Sequence, residues 1–535
     1  YERLRTAAER IAMLDVESIQ PTLFGISPLD IQQRHDEAFD VEAVTKAFLD
    51  NYLHLFDNVQ TILRKQTNDA KWAHDYALQL LNRLMFLYFI QRKRWLGDNP
   101  DFICDFWEAY KESRQPKDTF FSNWLSPLFF EAFNNKFQAG RADRQHLPTE
   151  IRKALALAPY LNGGLFTPNE LDDKYSFTVP DAVFEMLFDR FNWQTPGFLE
   201  RYNFTIREDS PFDQEVAVDP EMIGKVYESL VNITSKGIEE EDSRGTSGIF
   251  YTPRIEIDLM CRLALVDWLA NHLGEEHKRE HGCEADVKPI LYEALFAYEP
   301  DEKQNADSAL SRNDLFKELN NLLRDVTVLD PACGSGSFLV GMLTVLDDLQ
   351  ERTNKQLCIE EDVYDRRKRI IGQSLYGVDV MPWAVHVAEL RLWLQLMIET
   401  EIHPSQLKFR PLLPNLSFKI RSGDSLVQEV GGINLSLHRT HLDITKELKA
   451  RLTRFKGEKL KFYNNAPDAG FRSEESLKQE ELALFNDILF VKQHALENEI
   501  KRLTIKIESP QERQMVLLRE MEQEQVVQME LQAEE

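Results

Sequence analysis

Val326-Thr-Val-Leu-Asp-Pro-Ala-Cys-Gly-Ser-Gly-Ser-Phe-Leu-Val340 is the stretch whose reading decides the fold. A β-branched apolar run stops at an acid, passes through Gly-Ser-Gly and restarts with helical spacing, which predicts a strand, a tight turn and a helix start. Gly334 and Gly336 permit backbone angles that a Cβ forbids and let a ligand approach the main chain. The helix start presents N–H groups that have no intrahelical partner. Such a turn suits a nucleotide-like cofactor, although a lone Gly-x-Gly is as often an ordinary strand-to-helix connection.

Further on, the pattern returns. Leu375-Tyr-Gly-Val-Asp379 is a second short apolar run ending in a carboxylate, and a doubly wound sheet would set it beside the first, where an acid can take both ribose hydroxyls. The usual spacing to that acid is about twenty residues. Here it is more than twice that, so a helical excursion over residues 347–369 is expected to intervene. Phe418-Lys-Ile-Arg-Ser-Gly-Asp424 supplies a third strand ending in an acid, and Ser247-Gly-Ile-Phe-Tyr-Thr-Pro253 precedes a helical run over residues 256–269. A dehydrogenase is disfavoured, because Leu339 stands where the dinucleotide fingerprint has its third glycine.

Taken together, these four pieces resemble the cofactor half of the DNA adenine amino-methyltransferases, in particular the large group that includes type IIG restriction-modification proteins and the methyltransferases of the BREX and DISARM phage-defence systems. The Asp-Pro-Ala-Cys-Gly-Ser-Gly string carries most of that likeness. The resemblance implies an α/β, Rossmann-like methyltransferase sheet that binds S-adenosylmethionine. It places Tyr251 and Thr252 near the methionine carboxylate and Asp330 near its ammonium, with the backbone of Ala332, Cys333, Gly334 and Gly336 around the cofactor. Asp379 would hold the ribose and Asp424 the adenine amine, with Val380 and Met381 against the adenine face. For each acid the plainer alternative is a helix cap or a solvated turn. Cys333 is read as packing, since nothing beside it marks an activated thiol.

A chain of 535 residues, 43% hydrophobic and 28% charged, has the composition of a multidomain globular protein. No apolar run approaches a membrane span, and scattered cysteines, odd in number, fit a reducing cytoplasm. A net charge of −26 opposes phosphate contact, so the chain by itself should bind duplex DNA weakly and with strong salt dependence. Arg366-Arg-Lys-Arg369 and Arg92-Lys-Arg94 are local patches that could still touch a DNA backbone.

Three segments follow from the periodicity: a helical amino-terminal domain over residues 1–210, the cofactor domain over 211–429, and a helical, coiled-coil-like arm over 430–535. Within the first, residues 41–63 and 72–96 have helical spacing, and Phe86, Tyr88 and Phe89 read as core rather than as a base-stacking platform. Pro159-Tyr-Leu-Asn-Gly-Gly-Leu-Phe166, Arg83-Leu-Met-Phe-Leu-Tyr-Phe89 and Asp219-Pro-Glu-Met-Ile-Gly-Lys-Val-Tyr-Glu228 extend the family resemblance. Residues 272–314 read as charged and loop-like, with Glu299-Pro-Asp-Glu-Lys303 as loop charge rather than a nuclease metal site. His277, His281 and Cys283 read as a polar helix end rather than metal ligands. Residues 382–398 read as an amphipathic helix covering the sheet. In the arm, Leu482, Phe485, Leu489, Leu496, Ile500, Leu503 and Ile507 form a heptad-like seam.

Methylation of adenine needs a flipped base held on an aromatic ring. In the resembled family that site is an Asn/Asp-Pro-Pro-Tyr/Phe motif, and no Pro-Pro pair occurs in this chain. No catalytic residue is therefore assigned. The expectation is a chain that forms the amino-terminal half of a longer methyltransferase, reaching double-stranded DNA and any other defence-system subunits through the complete protein. The competing expectation is an inactive cofactor-binding sensor or scaffold. Since the family's fourth strand lies beside the first, the first strand is expected to show an open apolar edge.

Overall fold

The computed structural model describes residues 41–161, 165–189, 196–202, 204, 224, 252–281, 287–398, 412–427, 429–430, 433–434, 445–466, 468–471 and 474–508. The chain divides into two compact units, Tyr1–Gly423 and Asp424–Glu535. Tyr251, the Asn-Gly-Gly turn, most of residues 219–228, Cys283 and the tail after Glu508 lie outside the described residues.

The first described elements of this unit are helices, where the periodicity of residues 41–63 and 72–96 predicts them. α1 (Val41–Thr67) and α2 (Ala70–Arg92) pack together across a two-residue link. Asn68 turns the chain with φ 54°, and Asp69 caps α2 by accepting the Trp72 N–H at 2.9 Å. The Trp72 amide, Lys174 and the Tyr175 hydroxyl together hold the Asp69 carboxyl down at about 2. α2 is buried along nearly its whole length, with Phe86 and Phe89 fully enclosed. The aromatic stripe is core.

α3 (Phe102–Glu112), two π-helical turns (Phe121–Leu125 and Pro127–Ala132), α4 (Thr149–Ala156), α5 (Glu170–Asp173) and α6 (Asp181–Phe188) complete this layer around Trp72, Trp107 and Trp124. One fully buried cation sits in it. Arg83 donates to both Asp172 oxygens at 2.7 and 2.9 Å and to the Leu165 carbonyl at 2.7 Å, and its guanidinium lies 5.1 Å from the centre of the Phe130 ring. Asp172 in turn closes a capping box with Asn169 at the start of α5.

Residues 272–314 are not the charged loop that their composition suggests. α7 (Arg254–His281), α8 (Lys288–Leu295) and α9 (Pro300–Arg312) occupy most of them, followed by α10 (Phe316–Asp325). Glu299-Pro-Asp-Glu-Lys303 starts α9: Glu299 and Glu302 form a reciprocal capping box with Pro300 inside it. Acids near a helix N-terminus complement its dipole, so a run that is polar in composition is helical in fact. Among the described residues no group of three His, Cys, Asp or Glu side chains is placed to hold a metal ion.

β1 (Val328–Asp330) leads through the glycine turn into α11 (Ser337–Gln356); α12 (Val363–Gln373), β2 (Leu375–Asp379), α13 (Pro382–Ile398) and β3 (Ile420–Ser422) follow. The helical excursion expected before Asp379 is thus α11 and α12. The strands form a parallel sheet in the order β1-β2-β3, with Asp330 opposite Gly377 and Asp379 opposite Ser422. One face packs on helices: a Cβ at Gly377 would lie 2.9 Å from Leu339 of α11. The other face is partly exposed among the described residues, with Tyr376 and Val378 half-buried. Leu329 on it is 61% exposed, and among the described residues nothing pairs with the outer edge of β1.

Two expectations about the helices fail. α13 is not amphipathic, because its polar residues Glu389, Arg391 and Gln395 are buried along with its apolar ones. Likewise, the Arg366–Arg369 run is no DNA-facing patch: Arg366 and Arg367 both donate to Asp347 (2.5 and 2.7 Å), and Arg369 binds Glu361 at 2.8 Å. The arginines of α12 are satisfied by acids elsewhere in the helical layer, which burial requires and spacing along one helix cannot show. In the other patch, Arg94 is exposed and lies 3.5 Å from Asp98.

Within the second unit, β4 (Glu429–Val430) and β5 (Ile433–Asn434) form a short antiparallel pair, and α14 (Lys446–Tyr463) packs on α15 (Glu474–Glu508). The expected seam holds in part, with Phe485, Leu489, Leu496 and Ile500 half-buried. Leu477 and Leu484 are buried, whereas Leu482 is 60% exposed. Arg451 of α14 binds Glu480 and Asp487, and Lys459 pairs with Glu481, so ion pairs join the two helices.

Candidate cofactor site

At the carboxyl ends of β1 and β2 the backbone and two acids are tied into one small assembly. Asp379 Oδ2 accepts the Gly334 N–H at 2.9 Å, and its Oδ1 accepts the Met381 N–H at 2.9 Å. The Cys333 N–H donates to the Val378 carbonyl at 3.0 Å, and the Gly336 N–H to the Cys333 carbonyl at 2.8 Å. Gly334 and Gly336 take φ of 51° and 82°, a region that L side chains rarely enter. The turn is thereby pinned to the neighbouring strand.

The sequence reading left room beside Gly336 for a ligand, but α13 fills that space. A Cβ there would stand 2.8 Å from Ala388 Cβ, so this glycine serves close packing of the helix on the turn. With the Ala332, Cys333, Gly334 and Gly336 amides engaged internally, this backbone presents chiefly carbonyls and glycine surface to a ligand. Cys333 is buried; burial first, then Asp330 and Asp379, push its thiol upward, which suits packing and not nucleophilic chemistry.

Asp330 differs from its neighbour. Its Oδ1 accepts the Ala332 N–H at 3.1 Å, while its Oδ2 is buried and has no hydrogen-bond partner among the described residues. Desolvation pushes its carboxyl upward, the Ala332 amide opposes this, and the Asp379 charge adds to it. A buried acceptor without a donor, next to a second carboxylate, is the electrostatic complement of a cation. The residues therefore fit the ammonium of an amino-acid tail.

A pH signature follows. The folded Asp330 carboxyl is raised above its unfolded value, so its burial weakens the ligand-free fold as pH climbs through the interval between the two. Asp330→Asn should flatten that part of the stability profile and leave the ligand-free chain at least as stable near neutrality. Binding of a cationic ligand has the opposite slope, falling as pH drops through the raised value. Thermal unfolding and calorimetric titration across the acid range test both, and a wild-type affinity independent of pH would remove Asp330 from the cation's site.

Val380, beside Asp379, is 67% exposed and Met381 half-buried, leaving an apolar surface next to the acid. Thr252 stands two residues before the start of α7, at Arg254. Asp424 opens the second unit, where its Oδ1 accepts the Leu426 N–H at 2.9 Å in the local turn that Gly-Asp favours. Sequence reasoning missed Ser335, Ser337 and Arg391. Arg391 on α13 is buried and reaches all the way to the turn, and no local pattern signals a contact across more than fifty residues.

This strand, turn and helix constellation falls within residues 303–440, which match the family model described as MmeI, DNA-methyltransferase domain. Over those residues the chain is similar to a DNA-methyltransferase domain. The methyltransferase likeness extends beyond that domain. The chain is 30% identical over 408 residues to a putative type II restriction enzyme and methyltransferase of Methanocaldococcus jannaschii, covering 76% of this chain and 31% of that protein. It is 22% identical over 367 residues to DNA methyltransferase A of Bacillus subtilis, covering 67% of this chain and 32% of that one. The chain thus spans about a third of the length of the curated relatives it matches. The type IIG-like resemblance drawn from the Asp-Pro-Ala-Cys-Gly-Ser-Gly string is upheld by these matches.

Proposed function

We propose that this chain holds the methyl donor of a DNA adenine-N6 methyltransferase that works in restriction-modification or phage defence. The observation that carries the reading is the buried, unpartnered Asp330 Oδ2 set against Asp379 at the strand ends of a DNA-methyltransferase domain. S-adenosylmethionine, when bound, supplies an already electrophilic methyl group. Asp330 takes the ammonium of its tail, Asp379 the ribose hydroxyls, and Val380 and Met381 one face of the adenine. Tyr251 and Thr252 meet the tail carboxylate and Asp424 the adenine amine, as the family resemblance implies. These groups bind and orient.

Transfer itself needs a flipped adenine against an aromatic clamp, which belongs to the complete protein in this reading. Double-stranded DNA is reached there too, since a net charge of −26 opposes phosphate contact by this chain. No described helix is long and apolar enough to cross a membrane, and the described cysteines, Cys104, Cys261, Cys333 and Cys358, are free thiols, which supports a cytoplasmic setting.

Titration calorimetry with S-adenosylmethionine and with NAD tests the cofactor: saturable binding of the first alone is expected. Incubating this chain and the full-length protein with tritiated S-adenosylmethionine and mixed duplex DNA tests the rest. Label on adenine is expected from the full-length protein only. Label on cytosine would overturn the base assignment, and an unlabelled product from a donor-binding full-length protein would favour a sensor.

A further inference from the structure

We propose that Arg391 is a positioning residue for the methyl donor, acting through the Gly-Ser-Gly turn; this rests on the donor site proposed above. Arg391 is buried on α13, and one of its terminal nitrogens donates to the Ser335 carbonyl at 3.2 Å, the Ser335 hydroxyl at 3.3 Å and the Ser337 hydroxyl at 2.8 Å. Ser335 is itself buried. The turn is therefore held by two side chains of opposite charge. Asp379 pulls on the Gly334 N–H, and Arg391 pulls on the carbonyl one residue later.

That second pull fixes the plane of the Ser335–Gly336 peptide, and with it the left-handed conformation of Gly336 from which α11 starts. Gly224 closes the arrangement from another part of the chain. A Cβ at Gly224 would lie 2.9 Å from the Ser335 hydroxyl and 3.1 Å from the Arg391 nitrogen, so a side chain there would push the guanidinium off the turn. A buried guanidinium is costly to keep, and its bonds to the turn are charge-assisted and directional. In this arrangement the guanidinium sets where the turn's ligand-facing carbonyls and the first amides of α11 stand. The tail of the donor meets that surface and Asp330; the nucleoside is held by Asp379 and its neighbours Val380 and Met381.

The test compares the wild-type chain with Arg391→Lys, which keeps the charge but not the fork of donors, and with Ser337→Ala, which leaves Arg391 and its two Ser335 bonds in place. Each is titrated with S-adenosylhomocysteine and with 5′-methylthioadenosine, the same thionucleoside without the amino-acid tail. Arg391→Lys should weaken S-adenosylhomocysteine on the order of ten- to a hundredfold, as loss of residues that support direct ligands generally does. It should change 5′-methylthioadenosine less than about threefold, being away from the groups that hold the nucleoside. Ser337→Ala should show the same selectivity at roughly two- to tenfold, and it decides the matter if Arg391→Lys does not fold. Equal weakening of both ligands would mean general damage to the fold and overturn the proposal, as would unchanged affinity in both variants. A wild-type chain that binds neither ligand would instead overturn the donor site, leaving nothing for Arg391 to position.

Discussion

Replacing Asp172 by Ala should cost the first unit about 3–5 kcal/mol of stability, the usual result of stripping the partner from a buried ion. Arg83 is fully enclosed and spends its donors on Asp172 and the Leu165 carbonyl, with the Phe129 and Phe130 rings beside it. Without the carboxylate the guanidinium keeps one backbone acceptor and its ring contacts, none of which neutralises its charge. Asp172 also accepts from Gln79 at 3.2 Å and from the Asn169 N–H at 3.1 Å, so the start of α5 loosens at the same time. The double replacement Arg83→Met, Asp172→Leu should lose less than the single one, since no uncompensated charge remains. Urea unfolding followed by tryptophan fluorescence reads the change through Trp72, which donates to the Leu171 carbonyl next to the pair. A single variant as stable as wild type would mean that the pair carries none of the packing.

Asp379→Ala should weaken S-adenosylmethionine binding by about 1.5–3 kcal/mol, the range for a hydrogen bond to a charged group. In the same step it should destabilise the ligand-free site, because the Gly334 and Met381 N–H groups both lose their acceptor. The two losses can be separated. Asp379→Asn retains one carbonyl oxygen and can hold one of those amides, so it should recover part of the stability while still lacking the paired acceptors a ribose diol prefers. Calorimetry alongside thermal unfolding distinguishes them. If Asp379→Ala binds the donor as wild type does, the ribose assignment is wrong, whatever happens to stability.

Much of the strand, turn and helix framework around the proposed site could be read in the sequence because its signals are local. Acids at the ends of apolar runs, and glycines where a strand must turn into a helix, are enforced by backbone sterics within a few residues. That is why β1 and β2 end at the expected acids, β3 ends two residues before Asp424, and both turn glycines have positive φ. The use made of each group was less legible. Asp379 binds the turn as well as facing the site, and the space above Gly336 belongs to Ala388.

By itself, then, the sequence determined the helices over residues 41–67 and 70–92, the strand-turn-helix order and the placing of acids at or near the strand ends, since each depends on neighbours within a turn or two of chain. Only the tertiary structure decided which charges are buried and with whom. Arg83 finds Asp172 across 89 residues, Arg366 finds Asp347 across 19, and Arg391 finds Ser335 across 56. The same holds for α15, whose Glu480, Glu481 and Asp487 find Lys459 and Arg451 on α14. The physical reason is that a buried charge must be matched wherever the fold brings a partner, and desolvation, not sequence distance, sets the penalty for leaving it unmatched.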